Sequence, residues 1–103
     1  MPDIATPPPT ETCRALLLRI AAYLDRSRPT SLMWPASREL LAGQFAAEHY
    51  GIRTDLVAEI EAELLAHAPG VTPGTRRGQY AKELRRAAGL PPTPGPTATG
   101  PTP

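Results

Sequence analysis

Few side chains in this sequence are of a type and spacing that could perform chemistry. Cys13, His49 and His67 are the nucleophile and imidazole candidates, but the two histidines stand eighteen residues apart and the chain has one cysteine. Neither the short paired ligand spacing of a zinc site nor an intrachain disulfide is available from that set. Cys13 paired with a histidine would make a thiolate nucleophile only if solvent reached it. Its position on an apolar helical stripe instead predicts a buried, inert thiol. The segment "GTRRGQ" at 74–79 has glycines and cations but lacks the Gly-Lys-Ser/Thr ending of a phosphate-cradling loop, and no strand precedes it. No cofactor, metal or small-molecule substrate is expected, and the chain reads as non-enzymatic, short for housing a substrate pocket.

The remaining reactive surface is charge. Eleven Lys and Arg against ten Asp and Glu leave a formal net charge of +1, so no long-range field marks a polyanion-coating protein. The charges are nevertheless unevenly placed. The third helical segment carries Asp55, Glu59, Glu61 and Glu63 with no Lys or Arg inside it, whereas Arg76, Arg77, Lys82, Arg85 and Arg86 crowd the fourth beside Glu83. Two arrangements follow. In the favoured one, the acidic and basic helices pack antiparallel across the short 69–74 turn and face one another at the rim. In the other, the basic helix faces solvent and clamps phosphates, giving largely sequence-independent, salt-sensitive binding to nucleic acid.

The elements that must position these residues are helical. Apolar residues recur at helical spacing in four segments, no segment alternates with period two, and no internal repeat is present. The first is predicted over about 11–26, N-capped by Thr10, with Leu16, Leu17, Ile20, Tyr23 and Leu24 on one stripe and Pro29 beyond its end. The second is predicted from a Ser37 N-cap to Tyr50, with Leu40, Leu41, Phe45 and Ala47 as its apolar side and Gly51 as C-cap. The third runs from Thr54 to just before Pro69, with Leu56, Val57, Ile60 and Leu64 inward and His67 beside the terminal carbonyls. The fourth begins at Thr72 or Thr75, presents Tyr80, Ala81, Leu84 and Ala88 on one side, and stops at Gly89, Leu90 and two prolines.

The fold class is therefore all-α, a small bundle of about four short helices. Residues 1–9 form an N-terminal arm and 90–103 a Pro/Thr/Gly-rich tail; both carry too little apolar surface to offset the entropy of ordering and are expected to be disordered around a helical domain at 10–89. About 80 foldable residues lie near the lower limit for a self-supporting core, so a partner or dimer is expected to supply burial. With no apolar run of bilayer length and no signal-peptide pattern, the chain reads as cytoplasmic. Its wealth of Ala, Arg, Pro, Leu and Gly suggests a high-GC bacterial coding bias.

The stretch "WPASRELL" followed by "QFAAEHYGI" resembles the winged-helix regulators, whose first turn reads roughly as proline, small residues, Arg-Glu-Leu. The resemblance covers about a third of the chain and implies a helix-turn-helix over 38–67 that binds DNA. The first helix is about a turn longer than that pattern, and no β-wing follows the second. The expected function is a small interaction or regulatory protein binding a protein partner or itself; the alternative is a DNA-binding transcriptional regulator with a degenerate helix-turn-helix and the basic fourth helix. "LMWP" at 32–35 either plugs the end of the core or projects as an anchor. Large apolar residues outside the main stripes, Leu18, Met33, Trp34 and Leu65, are the expected protein interface; for DNA the expected residues are Arg76, Arg77, Lys82, Arg85 and Arg86.

Overall fold

The computed structural model describes residues 8–89, and these form four helices: α1 Glu11–Arg26, α2 Pro35–Tyr50, α3 Thr54–His67 and α4 Arg77–Ala87. The arm and tail expected to be disordered lie outside the described residues, apart from Pro8 and Pro9. The all-α class is as expected. Within the described residues the only β pairing is an isolated antiparallel bridge, Leu32 to Arg76. No helix among them is long and apolar enough to cross a membrane.

Local chemistry sets most helix ends. The Thr10 side chain accepts from the Cys13 N–H at 3.2 Å, which satisfies one donor of the first turn of α1. At the end of α2, Gly51 takes φ +60° and donates its N–H to Ala47 O at 2.8 Å, a conformation an L side chain would strain. Two starts differ from the sequence expectation. α2 begins at Pro35, with Trp34 rather than Ser37 as N-cap, because proline needs no N–H donor in the first turn and is already set near helical φ. α4 begins at Arg77 rather than at Thr72 or Thr75. Residues 72–75 are spent on a turn closed by Thr75 N to Thr72 O, and the carbonyl of Thr75 accepts from Met33 N at 2.8 Å. That backbone is already paired, so it cannot enter the helix.

The helices pack in pairs, α1 along α4 and α2 along α3, with smaller contacts from α1 to both α2 and α3. Leu16, Leu17, Leu24, Leu64, Tyr80 and Leu84 are enclosed at the centre. Each such side chain stabilises the fold by about 1.5–3 kcal/mol through loss of water contact. The face of α2 is not the expected one: Leu41, Ala42 and Ala46 are buried and Phe45 is half-buried, while Leu40 is 69 % exposed and Ala47 is exposed. α2 has apolar residues on every side, so periodicity alone selects no face, and the small side chains at 42 and 46 are the ones enclosed. Tyr23, expected on the buried stripe of α1, lies at the surface, 38 % exposed, with its ring edge-on to Phe45 at 6.0 Å.

Interhelix connections are tied together. Arg77 N donates to Ser31 O and Gly78 N to Pro29 O, both at 2.8 Å, so the start of α4 is stitched to the loop after α1. A Cβ at position 78 would stand 3.3 Å from both the Pro29 carbonyl oxygen and Cβ, closer than ordinary contact, so any larger residue there would push Pro29 aside.

Candidate interaction surfaces

The structure separates the four side chains expected at a protein interface. Met33 is 2 % exposed and belongs to the core, so it is corrected from interface to plug; its N–H, donated to Thr75 O at 2.8 Å, ties this stretch to the loop before α4. Leu18 and Leu65 are half-buried against the same core. Trp34 alone projects, at 58 % exposure. Its backbone is held: on one side Met33 is bonded to Thr75, and on the other Trp34 O accepts from Ser37 N at 3.0 Å and Arg38 N at 3.2 Å. A large aromatic ring is thus displayed from a fixed loop.

The five basic residues of the fourth segment also divide. Arg76 donates through Nη1 to Thr30 O at 2.8 Å, Arg77 donates through Nε to Ser27 O at 2.8 Å, and Arg85 is ion-paired with Asp25. The Arg77 guanidinium also lies 5.8 Å from the centroid of the Tyr23 ring, a cation–π contact. Lys82 and Arg86, four residues apart on the exposed side of α4, make no hydrogen bond or ion pair among the described residues. The favoured expectation that α3 and α4 neutralise one another is corrected. α4 lies on α1, and its engaged arginines tie down the C-terminal end of α1 and the loop after it.

The α3 carboxylates have other partners. Glu63 accepts from the Thr10 backbone N–H at 2.7 Å and from the Thr10 hydroxyl at 2.9 Å, placing an anion at the N-terminus of α1 where the helix dipole favours it. Asp55 makes a long, exposed contact of 3.9 Å with Arg53, which is worth little. Glu63 also borders Cys13: burial first, then the Glu63 charge and a hydrogen bond to it, push the thiol up to about 12, so the thiolate is not accessible near neutrality.

Arg38, the arginine of the Arg-Glu-Leu stretch, has a structural task. Its Nη2 donates to Leu65 O at 2.6 Å and Ala68 O at 3.0 Å, and its Nε to Pro69 O at 3.1 Å. These are carbonyls that the end of α3 leaves without intrahelical donors. Tyr80 adds its hydroxyl to Pro69 O at 2.5 Å. Burial raises the Tyr80 phenol, and nearby Arg38 partly offsets that rise.

Sequence reasoning missed a segregation of charge across the fold. On α1, α4 and the turns beside them stand Arg14, Arg19, Arg26, Arg28, Arg76, Arg77, Lys82, Arg85 and Arg86 against Glu11, Asp25 and Glu83. On α2, α3 and their link the balance reverses, with Arg38 and Arg53 against Glu39, Glu48, Asp55, Glu59, Glu61 and Glu63. A groove of about 360 Å³ between α1 and α2 is lined by Arg19, Ala22, Tyr23, Arg26, Phe45 and Glu48. The signal was present in the exposed arginines of α1, but assigning Tyr23 to the core hid the aromatic floor between them.

Comparison of the chain with protein-family models, with curated proteins and with solved structures finds no match. The resemblance to winged-helix regulators therefore rests on residues 34–41 and 44–52 alone.

Proposed function

We propose that this chain is a small, non-enzymatic, cytoplasmic interaction or regulatory module that binds a protein partner or a second copy of itself. The observation that carries this reading is Trp34, more than half exposed on a loop fixed by backbone hydrogen bonds from both sides. An exposed tryptophan on a held backbone offers large apolar area, a common make-up of an interface hot spot. Because the chain holds one tryptophan, its fluorescence reports directly on that surface. Emission that shifts to shorter wavelength as protein concentration rises, or on mixing with a purified binding partner, supports the reading. Emission that stays at the solvent-exposed position while Trp34→Ala binds the partner as tightly as wild type opposes it.

A second reading, DNA binding, draws on one observation: Lys82 and Arg86 stand exposed and unpaired among the described residues on one side of α4. α2 and α3 are joined by the short Gly51–Arg53 link that a helix-turn-helix requires, but the outward side of α3 carries Asp55, Ala58, Glu59, Ala62 and Ala66. Carboxylates there would repel phosphates, so a duplex would be met by α4 and not by the second helix of the pair. Anisotropy of mixed-sequence duplex DNA, titrated at low and near-physiological salt, separates the readings. Steeply salt-dependent binding that is lost in Lys82→Glu/Arg86→Glu and kept in Trp34→Ala favours DNA.

A further inference from the structure

We infer that the groove between α1 and α2, walled by Arg19 and Arg26 and floored by Tyr23 and Phe45, receives the acidic outer face of α3 from a second copy of this chain. The inference rests on the protein-binding reading above and names its partner; it does not use the Trp34 surface.

Three observations carry it. Arg19 and Arg26 are exposed and make no hydrogen bond or ion pair among the described residues, although Arg38, Arg76, Arg77 and Arg85 are each engaged within the fold. Two free guanidinium groups flanking an edge-on aromatic pair form a recess that matches carboxylates above and apolar area below. The matching surface is on the same molecule. The outward side of α3 presents Asp55 and Glu59 beside Ala58 and Ala62, and alanines let a helix backbone approach closely. The arm and tail cannot supply that occupant, since residues 1–7 contain a single carboxylate, Asp3, and residues 90–103 contain no charged side chain.

Charge also sets the pairing. A contact of α3 faces alone would place carboxylates on carboxylates, and one of grooves alone would place arginines on arginines, so the complementary pairing is groove to α3, made once head-to-tail or twice in a reciprocal two-fold dimer. Glu48 is the one acid among the residues that line the groove. Mass should grow with concentration and shrink with salt, stopping at a dimer where the contact is reciprocal and passing beyond it where the contact is head-to-tail.

The test is sedimentation velocity of the full chain over a wide concentration range at low and high salt, with helical content and thermal melting of every variant checked by circular dichroism. Wild type is expected to self-associate at low salt. Arg19→Glu/Arg26→Glu and Asp55→Lys/Glu59→Lys should each weaken association more than about tenfold, and mixing the two should restore a complex, since each retains the face the other has lost. Carrying all four changes on one chain should also restore association. A wild type that stays monomeric at every concentration overturns the inference, as does either variant associating like wild type or a mixture that stays monomeric. If association is lost in Trp34→Ala but kept in the groove variants, the groove assignment fails while the protein-binding reading stands. If wild type instead binds duplex DNA through Arg19 and Arg26 without self-associating, the second-copy occupant is wrong.

Discussion

Replacing Arg38 with alanine should destabilise the protein severely without touching a hydrophobic side chain. One guanidinium closes the carbonyls of Leu65, Ala68 and Pro69 at 2.6, 3.0 and 3.1 Å. Hydrogen bonds from a charged donor contribute about 1.5–3 kcal/mol each. The three share one half-exposed group and are not additive, so the loss is set at about 2–4 kcal/mol. A helical domain of about 80 residues has about 4–12 kcal/mol in total, so the change removes a large part of it. Arg38→Lys should recover less than half, because an ammonium cannot span three carbonyls with the fixed fork of a guanidinium. Tyr80→Phe should cost about 1 kcal/mol through loss of its bond to Pro69 O. Because Arg38 and Tyr80 share that acceptor, the double variant should depart from the sum of the singles by more than about 0.5 kcal/mol. Urea denaturation followed by circular dichroism at neutral pH measures wild type and the four variants. An Arg38→Ala protein within about 0.5 kcal/mol of wild type would refute the reasoning, since it would mean that water replaces the guanidinium at those carbonyls without cost.

The buried and exposed leucines should separate in the same assay: Leu16→Ala, fully enclosed, should cost about 2–5 kcal/mol, whereas Leu40→Gln, at 69 % exposure, should stay within about 0.5 kcal/mol. Cys13 should resist a thiol reagent in the native protein and react promptly in urea. Its folded pKa of about 12 exceeds the unfolded value, so the native state holds the proton more tightly. The stability this lends is complete below about pH 9 and falls as pH rises toward 12, by up to about 1.4 kcal/mol per pH unit. Melting temperatures should therefore drop across that window more steeply in wild type than in Cys13→Ala, with Tyr80 adding to the slope in both. Trp34→Ala should leave the melting temperature nearly unchanged, as expected for a ring 58 % exposed.

What the sequence determined by itself is what short-range chemistry controls. Thr10 caps the helix that follows it, Gly51 and Gly89 take positive φ at +60° and +92° where α2 and α4 stop, and the stripe of Leu16, Leu17, Ile20 and Leu24 is buried as its spacing requires. These features need only neighbours a turn or two away. Tertiary structure decided what depends on residues far apart in the chain. α2, apolar on every side, turned Ala42 and Ala46 inward and left Leu40 out. The arginines went to distant backbone and carboxylate partners: Arg38 to the end of α3, Arg77 to Ser27, Arg85 to Asp25. Glu63 turned from the expected pairing with α4 to Thr10, fifty-three residues away in the chain. A charged side chain reads identically in sequence whether it closes a helix end or faces water. Packing alone fixed which carbonyls lacked donors, and so which cations, Arg19 and Arg26 among them, were left exposed at the surface.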